Sequence, residues 1–163
     1  MNDLKEKILA VIEKNSRINV KDLAVALGEN EEVVAMAIAE MEADETICGY
    51  HTIINWEKTN RDRVVALIEV GVIPQRSRGF DHLAERIYNF PEVDSVYLMS
   101  GAYDFCIIME GKTIREISAF VSEKLSTLES VRSTATHFVL KKYKDHGTVM
   151  VHQKKAERQL IVP

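Results

Sequence analysis

The sequence predicts an α+β protein built from two folded units and a tail. Over the first 45 residues apolar side chains recur at helical spacing, which indicates three helices. After Glu45 the period shortens towards two, and the second half alternates β-branched runs with helical stripes. We therefore predict a winged-helix-like helix-turn-helix unit with a linker strand over residues 1–56. A βαββαβ ferredoxin-like unit follows over residues 62–145, and then a tail over residues 146–163.

Two asparagines and a glycine predict where the N-terminal helices begin and end. Asn19 and Asn30 are predicted N-caps, because their side-chain oxygens can accept hydrogen bonds from backbone N–H groups of the first turn. Gly28 can adopt the left-handed conformation that ends a helix. Two short helices joined at Gly28, with a third helix before them, match a helix-turn-helix. The same periodicity also fits a general three-helix bundle.

The second half is predicted to form four strands and two helices in the order β-α-β-β-α-β. The strands are predicted at residues 64–72, 93–100, 103–110 and 131–143, and residues 46–56 are predicted to form the linker strand before them. We expect both helices on one face of an antiparallel sheet. The other face is expected to carry Ala66, Ile68, Val70 or their neighbours, and an open apolar face favours dimerisation.

Composition excludes several classes of protein. Of the 163 residues, 46% are hydrophobic and 28% are charged, which excludes a disordered chain and a disulfide scaffold. The longest apolar run, residues 33–39, is far shorter than the roughly 20 residues that span a bilayer. The charged first residues do not resemble a secretory signal, and Cys48 and Cys106 have no metal or redox spacing. We therefore expect a reduced, cytoplasmic protein.

The net charge of −4 is unevenly distributed. Residues 1–57 contain five Lys/Arg and twelve Asp/Glu, whereas residues 58–163 contain sixteen and thirteen. The N-terminal unit is therefore acidic, which opposes binding to the phosphates of nucleic acid.

Several short motifs occur in a recognisable order along the chain. They are Arg17-Ile18, Glu45-Thr46-Ile47-Cys48-Gly49-Tyr50, Gly101-Ala102-Tyr103-Asp104, Leu125-x-x-Leu128-x-x-Val131, Thr134-x-Thr136 and Lys141-x-Tyr143-Lys144. In this order and spacing, the chain from residue 1 to about residue 145 resembles the Lrp/AsnC family of transcription regulators. The resemblance implies a DNA-binding helix-turn-helix joined to an effector-binding domain that assembles dimers or octamers.

The DNA-binding residues implied by the resemblance lie on and before the third helix: Arg17, Lys21, Glu31, Glu32, Ala35, Met36 and Ala39. The family usually places Arg or Lys on this helix, and here it has neither. Guanine readout needs a cationic fork, whereas glutamate can accept from cytosine and small apolar side chains can contact thymine methyls. Double-stranded DNA is the expected partner, and the alternative is an effector-sensing oligomer with weak or lost DNA binding.

The Gly101 hairpin is the candidate effector site. Its backbone N–H groups can receive a carboxylate, Asp104 can pair with an α-amino group, and Tyr103 offers a wall and a hydroxyl. Thr134 and Thr136 are candidate hydroxyl donors nearby. The resemblance implies that an amino acid or related metabolite binds there, in a crevice between dimers. Alternatively, Gly101 only makes the turn and Asp104 only caps it.

The sequence offers little support for catalysis. Its five histidines lack the spacing of a helical metal pair, and no nucleophile elbow, phosphate loop or dinucleotide fingerprint is present. We expect no enzyme activity, catalytic residue, metal site, cofactor or membrane association. The enzymatic alternative is a protein like the sirohaem decarboxylases, which have a similar architecture. Such an enzyme is expected to gather histidine and arginine at a tetrapyrrole pocket, and here these residues are dispersed.

Overall fold

A computed structural model describes residues 3–73 and 79–151 of the chain. Internal packing divides the protein into two compact units, Met1–Ile53 and Ile54–Pro163. The first six residues of the predicted tail, 146–151, are described, and residues 152–163 lie outside the described part.

The first unit contains three helices: α1 (Asp3–Ile12), α2 (Val20–Leu27) and α3 (Glu31–Ala43). The predicted caps are confirmed. The Asn19 side chain accepts a hydrogen bond from Asp22 N at 2.8 Å, and the Asn30 side chain accepts one from Glu32 N at 2.7 Å. Gly28 ends α2 in the left-handed conformation, with φ 70°. The shared core of the three helices consists of Ile8, Leu23, Ala24, Val34, Ala37 and Met41.

The predicted linker strand is wrong. Residues 46–55 pair with no strand among the described residues, and Trp56–Lys58 forms a short 3₁₀ turn. The segment begins where Ile47 N donates to Met41 O at 2.8 Å. A strand needs a neighbouring backbone to satisfy its N–H and C=O groups, and alternating side chains alone do not supply one.

The second unit contains a four-stranded antiparallel sheet with two helices. Its elements are β1 (Val64–Val72), α4 (Asp81–Tyr88), β2 (Val93–Leu98), β3 (Phe105–Gly111), α5 (Ile114–Phe120) and β4 (Val131–Phe138). The strand order is β2-β3-β1-β4, so the predicted β-α-β-β-α-β ferredoxin-like arrangement is confirmed. A π-helical turn, Val121–Leu125, continues α5, and a short hairpin, β5 (Lys144–Asp145) and β6 (Thr148–Val149), follows β4.

The prediction for the uncovered face of the sheet needs a correction. Ala66, Ile68 and Val70 are fully buried in one core with Leu83 of α4 and Ile117 of α5. They therefore lie on the face that the helices cover, and their neighbours Val65, Leu67 and Glu69 lie on the other face. Because both sets of β1 are largely apolar, alternation by itself does not distinguish the two faces.

The last strand is shorter than predicted. Instead of running to residue 143, β4 ends at Phe138, which pairs with Ala66 near the start of β1. One further hydrogen bond joins Val139 N to Val65 O at 2.8 Å. Beyond that point β1 offers no partner backbone, so the chain leaves the sheet. None of the helices in the described part is long and apolar enough to cross a membrane.

The N-cap of α3 provides a test of the helix-turn-helix unit. Asn30→Ala removes the acceptor for Glu32 N and should lower the free energy of unfolding by about 1 kcal/mol. Asn60→Ala is the matched control, because Asn60 is exposed outside any helix or strand. Urea unfolding followed by circular dichroism measures both variants, and equal stabilities would contradict the capping role.

Candidate functional site

The loop between β2 and β3 is held against the end of β1 by Asp104. Asp104 N donates to Val70 O at 2.9 Å, and Met99 N donates to Asp104 O at 2.8 Å. The Asp104 carboxylate oxygen Oδ2 accepts a further hydrogen bond from Val72 N at 2.7 Å. Three hydrogen bonds through one residue therefore set the position of the hairpin loop.

An irregularity in β1 makes the Val72 hydrogen bond possible. The pairing of β1 with β4 shifts register between Gly71 and Val72. Gly71 is buried there, and a Cβ atom at this position would lie only 2.5 Å from Ser133 Oγ. Glycine thus permits the close approach of β4, and the shift leaves Val72 N to the Asp104 carboxylate rather than to the strand ladder.

The second Asp104 carboxylate oxygen, Oδ1, has no hydrogen-bond partner among the described residues. An ionised carboxylate can accept several hydrogen bonds, so the anchoring role leaves capacity for a ligand cation. Tyr103 and Asp104 are half-buried, whereas Gly101 is exposed at the loop tip. The structure therefore shows that Asp104 anchors the loop through Oδ2. Its other oxygen, Oδ1, is available to a ligand.

Thr134 lies at the same end of the sheet as the hairpin. In the sheet register, Val70 is opposite Phe105 on β3 and Thr134 on β4, so Thr134 is two strands away from the residue that follows Asp104. Thr136 lies opposite Ile68, further from this end. Both threonines are half-buried on the helix-covered face, and within the described part neither hydroxyl is hydrogen-bonded. The sheet thus brings Thr134 towards the hairpin and leaves Thr136 more remote.

The uncovered face of the sheet is partly apolar and carries a contact between a carboxylate and a histidine. Leu67 and Ile108 lie opposite each other in the register, and so do Glu69 and Cys106. Glu69 Oε1 lies 3.4 Å from His137 Nε2 of β4. Burial raises the pKa of the Cys106 thiol, and the nearby Glu69 adds to the shift. This thiol is therefore protonated near neutral pH and behaves as a small apolar group.

The outer face of α3 is exposed, acidic and apolar. Glu31, Glu32, Ala35 and Ala39 are all exposed, and Met36 has an exposed fraction of 65%. The Asn30 side chain caps the first turn of α3. Glu31 and Glu32 in this turn are stabilised by the positive end of the helix dipole. The residues predicted to contact bases are thus accessible, and they contribute no positive charge.

Ion pairs occupy two of the five cations in the first unit. Lys5 Nζ lies 3.0 Å from Glu40 Oε2 of α3, and Lys7 Nζ lies 2.6 Å from Asp3 Oδ2. The Asp3 carboxylate also raises the pKa of Lys7. The other cations of this unit, Lys14, Arg17 and Lys21, have no carboxylate partner within the described residues. The i,i+4 spacing could have predicted the Asp3 pair, whereas nothing in the sequence marked Glu40 as the partner of Lys5.

No cluster of His, Cys, Asp or Glu that could hold a metal ion occurs in residues 3–73 and 79–151. Over the same residues, the four described histidines are distributed over separate segments: His51, His82, His137 and His146.

Comparison with known proteins shows that this chain is similar to transcription regulators. The family model described as the Lrp/AsnC ligand binding domain matches residues 65–149. The HTH-type transcriptional regulator YugG of Bacillus subtilis is 41% identical over 100% of this chain and 99% of its own. Its description as a transcriptional regulator agrees with the class of protein that the sequence predicts.

Two solved structures share the fold over most of the chain. The transcriptional regulator NMB0573 of Neisseria meningitidis, in complex with L-Met, has a TM-score of 0.70 and 21% identity, and covers 91% of this chain and 96% of its own. AsnC of E. coli has a TM-score of 0.65 and 20% identity, and covers 87% of this chain and 93% of its own. These similarities extend the agreement in fold to both units.

Proposed function

Because the chain belongs to the Lrp/AsnC family of transcription regulators, we propose that it senses an amino acid or related metabolite and transmits this to DNA. In this proposal residues 62–145 bind the effector and assemble the oligomer, and residues 1–56 bind duplex DNA. Residues 146–163 have no assigned role. We also propose a cytoplasmic location, because a bacterial transcription regulator binds its DNA there.

The observation that supports the effector proposal is that only one oxygen of the Asp104 carboxylate accepts a hydrogen bond from the described residues. Val72 N holds Oδ2, which fixes the carboxylate without neutralising it. The α-ammonium of an amino acid can bind Oδ1, and the ligand carboxylate can accept from backbone N–H groups near Gly101. Tyr103 and Thr134 offer hydroxyls at the same end of the sheet, with Thr136 further away. The L-Met complex of the Neisseria regulator makes methionine a reasonable first ligand to test.

The uncovered sheet face supports the assembly of at least a dimer. Leu67 and Ile108 are half-buried on this face, and Tyr97 of β2 has an exposed fraction of 51%. An apolar sheet face gains stability when a second copy covers it. Four dimers in a ring, as is known in the family, would give the octamer.

The DNA proposal relies on the exposed face of α3 together with Arg17 and Lys21. Ala35, Met36 and Ala39 are small or apolar groups that can contact thymine methyls, and Glu31 or Glu32 can accept from cytosine N4. A second candidate function is an effector-sensing oligomer with weak or lost DNA binding. The acidic first turn of α3 favours this second candidate, because phosphates repel it.

Replacing Asp104 tests the effector site. Asp104→Asn keeps an acceptor for Val72 N but removes the charge, and should weaken L-methionine binding tenfold or more. Asp104→Ala should weaken binding and also lower the unfolding temperature, because Val72 N loses its partner. Calorimetric titration and thermal unfolding measure the two effects, with the exposed Glu129→Gln as control. If a ligand found among the amino acids binds Asp104→Asn as tightly as the parent, the ammonium is held elsewhere.

Light scattering tests the assembly. The parent protein should be a dimer or larger at micromolar concentration. Leu67→Glu should shift it towards the monomer, because it places a charge on the sheet face that the second copy is proposed to cover. Val25→Glu, at a position with an exposed fraction of 76% on α2, should leave the mass unchanged. A stable monomer of the parent protein would contradict the dimer proposal.

The salt dependence of DNA binding tests the role of α3. In the first unit, Lys14, Arg17 and Lys21 have no carboxylate partner among the described residues. If only these three cations contact phosphates, the slope should be shallow, about three per chain, since log K falls by about 0.9 per neutralised phosphate. Ala35→Arg should tighten binding and steepen the slope by about one per bound helix. Ala10→Arg, exposed on α1, is the matched control. Fluorescence anisotropy on a duplex selected from genomic DNA measures the affinity and the slope. An Ala35→Arg variant that binds no better than the parent would show that α3 does not lie in the groove.

A further inference from the structure

The excess positive charge of the second unit is concentrated near the end of the chain. Residues 58–140 contain ten Lys/Arg and eleven Asp/Glu, so this part of the unit has no excess of cations. Residues 141–163, called here the basic segment, contain six Lys/Arg and only two Asp/Glu. The basic segment is therefore the one stretch of the sequence with a clear surplus of positive charge, since residues 1–57 are strongly acidic.

The described part of the basic segment forms a tight hairpin. Its strands β5 and β6 are antiparallel, and Met150 N donates to Tyr143 O at 2.9 Å beside them. His146 and Gly147 make the turn, with φ values of 41° and 80°. Two successive left-handed residues form the two-residue turn whose twist matches that of paired strands. The hairpin therefore has a defined shape.

Within the hairpin, the carboxylate of Asp145 is compensated and the charge of Lys144 is not. Asp145 Oδ2 lies 3.3 Å from Lys142 Nζ, and Asp145 Oδ1 lies 3.0 Å from His146 Nδ1. Lys144 is exposed and has no carboxylate partner within residues 3–73 and 79–151. Its ammonium group is therefore available to an anion outside the protein.

Two other lysines of the basic segment are less accessible to a large anion. Lys141 and Lys142 lie beside Val65 and Val139 at the uncovered face of the sheet, which a second copy is proposed to cover. Lys144 lies at the margin of that face, and the margin of a protein interface is generally polar and in contact with water. Of the lysines at residues 141–144, Lys144 is therefore the one that an external anion can contact in the assembled protein.

The sequence of the basic segment beyond the described residues adds three more cations. They are Lys154, Lys155 and Arg158, and Glu157 is the single carboxylate among residues 152–163. A local surplus of positive charge favours association with nucleic acid, whatever the conformation of the chain that carries it.

We propose that Lys144, Lys154, Lys155 and Arg158 bind phosphates of the duplex that this regulator recognises, which rests on the DNA-binding function proposed above. Duplex DNA carries one phosphate charge per about 1.7 Å of its axis, and neutralising these charges supplies a large share of the affinity of DNA-binding proteins. The exposed face of α3 has no cation for this task. The contacts are thus divided, with α3 reading bases and the basic segment neutralising phosphates.

The salt dependence of DNA binding tests this division. Fluorescence anisotropy is recorded on the full-length protein with the duplex selected from genomic DNA and with a scrambled duplex of equal length and composition. The parent slope should exceed the three per chain that the unpaired cations of the first unit supply. The triple variant Lys154→Gln, Lys155→Gln and Arg158→Gln should lower the slope by about three per chain. At about 50 mM salt it should bind both duplexes at least tenfold more weakly.

Single variants and a matched control assign the effect to the basic segment. Lys144→Gln should lower the slope by about one per chain. Glu157→Gln should tighten binding, because it removes a negative charge that repels phosphates. The control combines Arg86→Gln, Lys112→Gln and Arg115→Gln, which remove the same charge from exposed positions on α4, before α5 and on α5. It should bind like the parent.

Circular dichroism and light scattering confirm that each variant keeps the fold and the mass of the parent. Equal slope and affinity in the triple variant and the parent would overturn the proposal, and so would an equal loss in the control, which would make net charge the cause. A loss confined to the selected duplex would also overturn it, since phosphate contacts do not depend on base sequence. Failure of the DNA-binding function itself looks different, because the parent then binds neither duplex even at low salt.

Discussion

The central strand β1 is hydrogen-bonded on both edges, to β3 and to β4, and one set of its side chains lies in the helix-covered core. The candidate effector site depends on where this strand ends. At its C-terminal end, the register shift at Gly71 leaves Val72 N to Asp104 and so positions the hairpin. At its N-terminal end, β4 loses its partner after Val139, and the chain leaves the sheet.

The two ends of the sheet differ in the surroundings of their carboxylates. At the hairpin, the fixed group is the Asp104 carboxylate, which selects a cation such as an α-ammonium. At the opposite end of the sheet, the Glu110 carboxylate is compensated by Arg63. The two ends of the sheet therefore differ in whether their carboxylate is compensated by a cation. The acidic α3 adds a further contrast, because its exposed surface is less suited to phosphates than the usual recognition helix of the family.

Much of the fold could be predicted from the sequence. The caps at Asn19 and Asn30, the left-handed Gly28 and the strand at residues 64–72 all agree with the structure. The errors concern partners. The linker has the alternation of a strand but no neighbour to pair with, and β4 stops where β1 begins although its apolar pattern continues. The motif Gly101-Ala102-Tyr103-Asp104 located the hairpin, yet it did not show that Asp104 holds Val72.

The sequence by itself determined the order of helices and strands, the acidic character of the first unit and the membership of the family. These properties depend on residues close together in the chain, through capping, periodicity and local charge. Only the tertiary structure decided that Ala66, Ile68 and Val70 face the helices and that Lys5 is paired with Glu40. It also decided that one Asp104 oxygen accepts a hydrogen bond from Val72 N, and that Arg63 contacts both the Trp56 ring and the Glu110 carboxylate. Most of these contacts join residues far apart in the chain, and their geometry is set by strand register and core packing, which no local pattern records.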